Sequence, residues 1–171
     1  DDETFKKLAE YNVNLYREAG VKTIVLSCAE GYRTWKFEYP KYVKDFDFDV
    51  VFFTDYLLRE GILEGLRFPQ EMPTVVTYHD ACRLGRLGGK LYDSPREIIR
   101  KIPGVRLKEM KNIKDDAGCC GVSAFSGCNE FTRLLRKLRL EEAADTGADY
   151  LIVPCPKCLT HFNCYLTEPS L

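Results

Sequence analysis

Eight cysteines stand among the 171 residues, and five of them form one pattern: Cys82, 36 residues, the adjacent pair Cys119-Cys120, 34 residues, then Cys155-x-x-Cys158. Thiolates are soft ligands that select zinc, copper(I) or iron–sulfur centres. A C-x-x-C step alone is shared by zinc knuckles, dithiol redox sites and clusters. Five thiolates say more. Structural zinc is closed by four ligands, so a fifth would be surplus. Adjacent cysteines chelate a single ion poorly, whereas a polynuclear cluster offers each a different iron. Gly118 and Gly121 bracket the pair, and backbone without Cβ can come close to a cluster. The pattern favours an iron–sulfur cluster over mononuclear zinc. A secreted disulfide framework is the competing use of so many cysteines. Long amphipathic helices, apolar strands and vicinal thiols argue against it.

Other reactive side chains lie around this pattern. His79 and Asp80 lie three and two residues before Cys82. His79 could give a proton or a tuning hydrogen bond to the centre; a turn held by the aspartate, with the histidine merely packed, is the simpler account. His161, one turn after Cys158, reads as an ordinary core or surface histidine. Arg83 and Arg86 could attract an anionic substrate, with salt bridging the plainer role. Arg133, Arg136, Lys137 and Arg139 give one helix a basic face, expected to be solvated or to dock an acidic electron-transfer partner. Cys128 and Cys164 read as small apolar residues, and Cys28 as a free thiol.

Alternating helix and strand signals must position these groups. Phe5, Leu8, Leu15, Tyr16 and Ala19 fit a helix stopped at Gly20. Thr23–Ser27, Val50–Phe53, Thr74–Tyr78, Val105–Met110 and Tyr150–Val153 read as buried strands. Between them, a helix over Tyr32–Tyr39 is closed by Pro40, and Thr54 caps one running to Ile62. Ser94, a capping serine followed by Pro95 at the first helical position, starts a third helix, which ends by Pro103-Gly104. A longer one ends at Gly147, with Phe131, Leu134, Leu135 and Leu138 on one face. The expectation is an α/β layered fold with a mainly parallel sheet.

An internal repeat is also legible. Ala19–Trp35 (AGVKTIVLSCAEGYRTW) recurs as Thr146–Phe162 (TGADYLIVPCPKCLTHF), offset by 127 residues. Gly20 matches Gly147, Cys28 matches Cys155, Trp35 matches Phe162, and Gly31 stands where the second copy has Cys158. Each copy puts a cysteine at a strand's C-terminal end, where ligands of open α/β sheets collect. The spacing would place the first copy's cysteine pair at about position −7, ahead of Asp1. Residues 1–68 thus read as the C-terminal half of a degenerate first repeat and 69–171 as a complete second one. The expectation is a fragment, or a chain whose missing N-terminal portion is supplied elsewhere.

Composition bounds the class. Hydrophobic residues make up 45%, charged residues 30%, and the formal charge is −1. No net basic field draws the chain toward nucleic acid or an anionic membrane. Apolar runs are too short to span a bilayer, and Asp1-Asp2-Glu3 is no signal-peptide start. A soluble, cytoplasmic protein is expected, attached if at all to a membrane complex through partners.

The stretches TYHDACRLGR (Thr77–Arg86), SPREIIRKIPGV (Ser94–Val105), AGCCG (Ala117–Gly121) and PCPKCLTHF (Pro154–Phe162) together resemble the cysteine-rich CCG domain. It occurs in the B-type and D-type components of heterodisulfide reductase and in related iron–sulfur oxidoreductases. The resemblance covers essentially the whole chain, with the last spacing one residue short of the usual pattern. It implies a noncubane [4Fe–4S] cluster held by Cys82, Cys119, Cys120, Cys155 and Cys158, which cleaves a disulfide in one-electron steps. It also implies two domain copies, other redox subunits as partners, and a ferredoxin or CCG portion upstream. An electron-relay module and a zinc-bound structural domain are the alternatives.

Overall fold

The computed structural model describes residues 1–122 and 129–167. Helix α1 (Asp2–Glu18) starts at Asp1, whose carboxylate accepts the Thr4 N–H at 2.7 Å, and stops before Gly20. Strand β1 (Thr23–Leu26) then pairs in parallel with β2 (Asp49–Phe52), Thr23 opposite Asp49 and Leu26 opposite Phe52. Between them α2 (Ala29–Arg33) begins directly after Cys28. It winds on as a π turn over Thr34–Glu38 and a 3₁₀ turn over Tyr39–Lys41. The helical segment therefore begins earlier than the pattern suggests, and Pro40 sits inside its last turn instead of closing it. Near the start of a short turn, proline's missing N–H costs no bond.

A second parallel sheet follows, with β3 (Thr74–Tyr78) between β4 (Val105–Leu107) and β5 (Tyr150–Ile152). Of the runs expected to be buried, β2 and the end of β3 are, whereas β1, β4 and β5 are only partly covered, with Val25 and Tyr150 exposed. Strand β4 is shorter than its run, and Met110 beyond it is buried by packing instead. The α/β parallel-sheet expectation holds, divided between two sheets. The helices are α3 (Phe53–Leu58), α4 (Asp93–Lys101), α5 (Glu130–Ala144) and α6 (Pro156–Thr167). Among the described residues no helix is long and apolar enough to cross a membrane.

Two expected caps are absent. Thr54 Oγ1 and Ser94 Oγ hydrogen-bond each other at 2.9 Å, so neither hydroxyl caps its helix. They tie α3 to α4 instead. Helix α4 opens at Asp93, which favours the positive end of the helix and pairs with Lys114 at 2.9 Å. Helix α5 has a cap that its apolar pattern does not mark: the Asn129 side chain accepts the Thr132 N–H, and Thr132 Oγ1 accepts the Asn129 N–H.

One core joins both sheets. Ala29, Tyr32, Val50 and Phe52 from the first half pack with Ala81, Leu84, Cys120, Cys155, Cys158 and Phe162. The face of α5 in this structure is the reverse of its apolar pattern. Phe131, Leu134 and Leu138 are exposed, while Thr132, Arg136, Arg139 and Ala143 are buried. Arg136 and Arg139 are each 1% exposed, so half of the basic face expected in solvent lies in the core, while Lys137 is exposed and Arg133 half-buried.

Candidate redox centre

Three loops carry the five thiols to one place. Cys82 follows β3 on the turn beginning at Ala81; Cys155 and Cys158 open α6 directly after β5. Both are C-terminal ends of neighbouring parallel strands. The Cys119-Cys120 loop follows β4, which flanks β3 on the side opposite β5. Arg86 clamps that loop, its Nη1 donating to Asp115 O at 2.8 Å and Ala117 O at 2.7 Å. Gly121 has φ +83°, a left-handed conformation, and a Cβ there would lie 2.5 Å from Thr132 O on α5. Glycine is thus required where the loop turns against α5. Gly118 meets only ordinary contact, with Arg139 Cδ 3.5 Å from a notional Cβ. Of the two bracketing glycines, Gly121 is the one that makes room for α5.

The sulfurs form an unbroken series. Cys82 contacts Cys119, Cys119 contacts Cys120, Cys120 Sγ lies 3.0 Å from Cys158 Sγ, and Cys158 contacts Cys155. Cys120, Cys155 and Cys158 are buried, Cys82 and Cys119 half-buried, and none of the five is in a disulfide. A cleft of about 50 Å³ reaches Cys82, Cys155 and Cys158 between Glu30, Arg83 and Leu87. Glu30, from the first half of the chain, pairs there with Arg83 at 3.3 Å and Lys157 at 3.7 Å.

The environment drives these thiols apart. Cys155 is lowered to about 6, first by the Cys158 thiol and then by the Cys158 and Lys157 backbone N–H groups that open α6. Hydrogen bonding to the ionised form favours it. Cys120 is pushed up to about 12, first by its bond with Cys119, with burial adding to it. Cys82 and Cys158 are also raised, by neighbouring thiols first and burial second. Packed thiols cannot all ionise without a cation to balance them.

A charged scaffold surrounds the site. The Arg96 guanidinium grips both Asp80 oxygens at 2.8 Å, and also reaches Glu109 at 2.8 and 3.0 Å and Tyr92 O at 2.8 Å. Asp80 accepts the Lys114 N–H as well, at 2.8 Å. It therefore locks the Cys82 turn to α4 and to the run leading to Cys119, by a buried ion pair instead of a local turn. His79 is buried and pushed down to about 3, first by burial and then by Arg139, whose Nε donates to His79 Nδ1 at 3.1 Å. Arg83 makes the salt bridge expected of it, whereas Arg86 holds backbone carbonyls. His161 is half-buried, with Nδ1 lacking a partner among the described residues. Cys164 is exposed, Cys28 half-buried, and Cys128 lies outside the described residues.

Apolar patterning passes over Arg96, Arg139 and Thr132. A signal exists all the same: Thr132, Arg136, Arg139 and Ala143 recur at helical spacing, one stripe that a hydrophobicity pattern overlooks because it is mostly polar.

The donors suit an iron–sulfur cluster. Soft sulfurs converge from three loops, and Arg139, whose side chain lines a cavity together with Cys119, has a buried Nη2 with no hydrogen-bond partner among the described residues. A sulfur acceptor would satisfy it. One nitrogen of His79 also lies within 4.8 Å of the Cys120 and Cys158 sulfurs, a triad able to hold a single ion.

Comparison with known proteins agrees with this chemistry. The chain is 30% identical over 92% of its length to a component of the dihydromethanophenazine:CoB–CoM heterodisulfide reductase of Methanosarcina barkeri, spanning 39% of that polypeptide. It is 35% identical over 91% of its length to the probable iron–sulfur-binding oxidoreductase FadF of Bacillus subtilis, spanning 22%. It is 31% identical over 91% of its length to the EtfAB:quinone oxidoreductase of Syntrophomonas wolfei, again spanning 22%. The chain thus corresponds to two fifths or less of these proteins. The family model for the CCG cysteine-rich domain matches residues 76–163, just over half the chain, and that span runs from β3 through α6 and contains all five converging thiols. The chain belongs to the CCG cysteine-rich domain family.

Proposed function

We propose that the chain holds one four-iron, noncubane [4Fe–4S] cluster on Cys82, Cys119, Cys120, Cys155 and Cys158. In this reading it is the redox module of a larger heterodisulfide-reductase-like oxidoreductase. The observation that carries the reading is the continuous run of five sulfurs at the C-terminal ends of β3 and β5. A bound cluster would supply single electrons for making or breaking a thiol–disulfide bond. The chain's own residues supply the rest. Arg86, Asp80 and Arg96 fix the Cys82 turn to α4 and to the Cys119-Cys120 loop, Cys120, Cys155 and Cys158 are buried, and the cleft opens on Cys82, Cys155 and Cys158.

The position of Gly31 opposite Cys158 supports a first repeat, residues 1–68, that holds no cluster, with residues 69–171 as the complete second copy. In further support, Gly20 and Gly147 both take left-handed φ, +72° and +64°, and Cys28 and Cys155 both precede a helix. Other redox subunits, or an upstream ferredoxin or CCG portion, would then deliver electrons.

Iron and acid-labile sulfide analysis after anaerobic purification tests the reading. Four irons and four sulfides per chain are expected, by the usual composition of such clusters. Stoichiometric zinc without iron would refute it and favour an ion on the His79–Cys120–Cys158 triad. Reducing the loaded protein and adding disulfides and thiols separates chemistry from relay. A paramagnetic signal changed by a thiol supports the first, and indifference with fast partner exchange supports the second.

A further inference from the structure

His79 leaves the C-terminal end of β3, and Arg139 reaches it from α5, sixty residues on. Both side chains are 1% exposed. The Arg139 Nε–H can only donate, so at 3.1 Å the His79 Nδ1 must accept. A neutral imidazole has one N–H, which must then be on Nε2. The guanidinium is itself fixed: Nη1 donates to Asn112 O at 2.9 Å and to Glu142 Oε2 at 2.7 Å. Glu142 is held in turn by the Asn112 N–H. The imidazole plane is set by Phe162, edge-on with ring centroids 5.0 Å apart and planes at 81°. One ring nitrogen lies within 4.8 Å of Cys120 Sγ and Cys158 Sγ. With Nδ1 occupied, Nε2–H is the group left to face sulfur.

We propose that Arg139 is a positioning residue: by donating to Nδ1 it holds His79 as the Nε2–H tautomer and presents one N–H donor to the Cys120–Cys158 sulfur pair. The tautomer depends on protein atoms alone. Its redox consequence rests on the cluster reading above. Hydrogen bonds to cluster sulfur stabilise the more negative, reduced state, so this donor raises the reduction potential. It also explains why a charged arginine is buried in α5, where a leucine would fill the space without donating.

Nitrogen-15 spectra of histidine-labelled, reduced, metal-free chain at neutral pH test the first part. The chain has two histidines, and His161→Gln assigns them. His79 should show a protonated Nε2 and a bare Nδ1. Arg139→Met should shift it toward the Nδ1–H form, and Arg139→Lys, which keeps a donor, should restore the original pattern. Dispersed amide spectra would show that each variant is folded, a condition for reading it. An Nδ1–H tautomer in the unsubstituted chain, or an unchanged tautomer in folded Arg139→Met, would overturn the assignment. In iron-loaded protein, Arg139→Met should lower the reduction potential and Arg139→Lys should leave it near the original. A switched tautomer with an unmoved potential would overturn the tuning role. Failure to take up iron would sink the cluster reading and leave the tautomer result standing.

Discussion

Cys155 and Cys120 share one sulfur series yet stand on opposite sides of neutrality. Their separation comes from who donates to whom: Cys155 collects the hydrogen bonds that open α6, while Cys120 is raised by Cys119 and by burial. In the metal-free protein Cys155 should be a thiolate above pH about 6, with Cys120 protonated to about 12. Thiolate ultraviolet absorbance followed against pH, with and without Cys155→Ser, checks this. The linkage has a definite sign. A depressed folded-state value adds stability above the ordinary thiol value of about 8.5, lost as pH falls through the folded value. His79, held neutral, acts in the same direction below its ordinary value of about 6.5. The raised thiols, Cys120 among them, lose stability as pH climbs above about 8.5. Thermal melting of the metal-free chain should therefore be highest near that pH and fall on acidification. Ligand identity is checked at the same scale. Cys119→Ser and Cys120→Ser should abolish or reshape the visible absorbance of the iron-loaded protein, because serine lacks the soft thiolate. Cys164→Ser, on an exposed residue, should leave it unchanged. Equal damage from all three would mean a different ligand set.

At the scale of elements, the charged residues within the core do the positioning. Arg96→Met would strand Asp80, buried between α4 and the Cys82 turn. Breaking a buried pair in this way costs about 3–5 kcal/mol, measurable by urea unfolding. Gly121→Ala must distort the loop against α5, where its Cβ would meet Thr132 O at 2.5 Å. A loss of more than about 1 kcal/mol is expected for a side chain forced to positive φ. By contrast Phe131→Gln, Leu134→Gln and Leu138→Gln on exposed positions of α5 should each change stability by about 0.5 kcal/mol or less. Here lies the main difference between what can be read in the chain and what it forms. The strands are legible because a run such as Val50–Phe52 has few alternatives to a buried parallel strand. The face of α5 is not, because apolar spacing locates the water-avoiding side. In this helix the buried side is chosen by hydrogen bonds from Arg139 to Asn112, His79 and Glu142, partners 3 to 60 residues away in sequence. Caps fail for the same reason: Thr54 and Ser94, 40 residues apart, satisfy each other. The thiol pattern is the most legible part, since spacing and number alone indicate a shared centre.

For the whole molecule, the consequence of β3 lying between β4 and β5 is one of timing. Of the three sulfur-bearing segments, Cys82 leaves the ribosome first, the Cys119-Cys120 pair next, and Cys155 with Cys158 last. The last two are placed only when β5 adds to β3, a parallel pairing of Val76 with Tyr150 across most of the domain. Contacts so distant in sequence form late, after the loop entropy between them has been overcome. Until then the earlier thiols lack their partners, and the N–H groups that would ionise Cys155 have yet to be arranged by α6. Metal delivery is therefore a step that follows synthesis of this segment. Stalled nascent chains ending before Cys155 should release iron on gel filtration, whereas chains extended past Thr167 retain it.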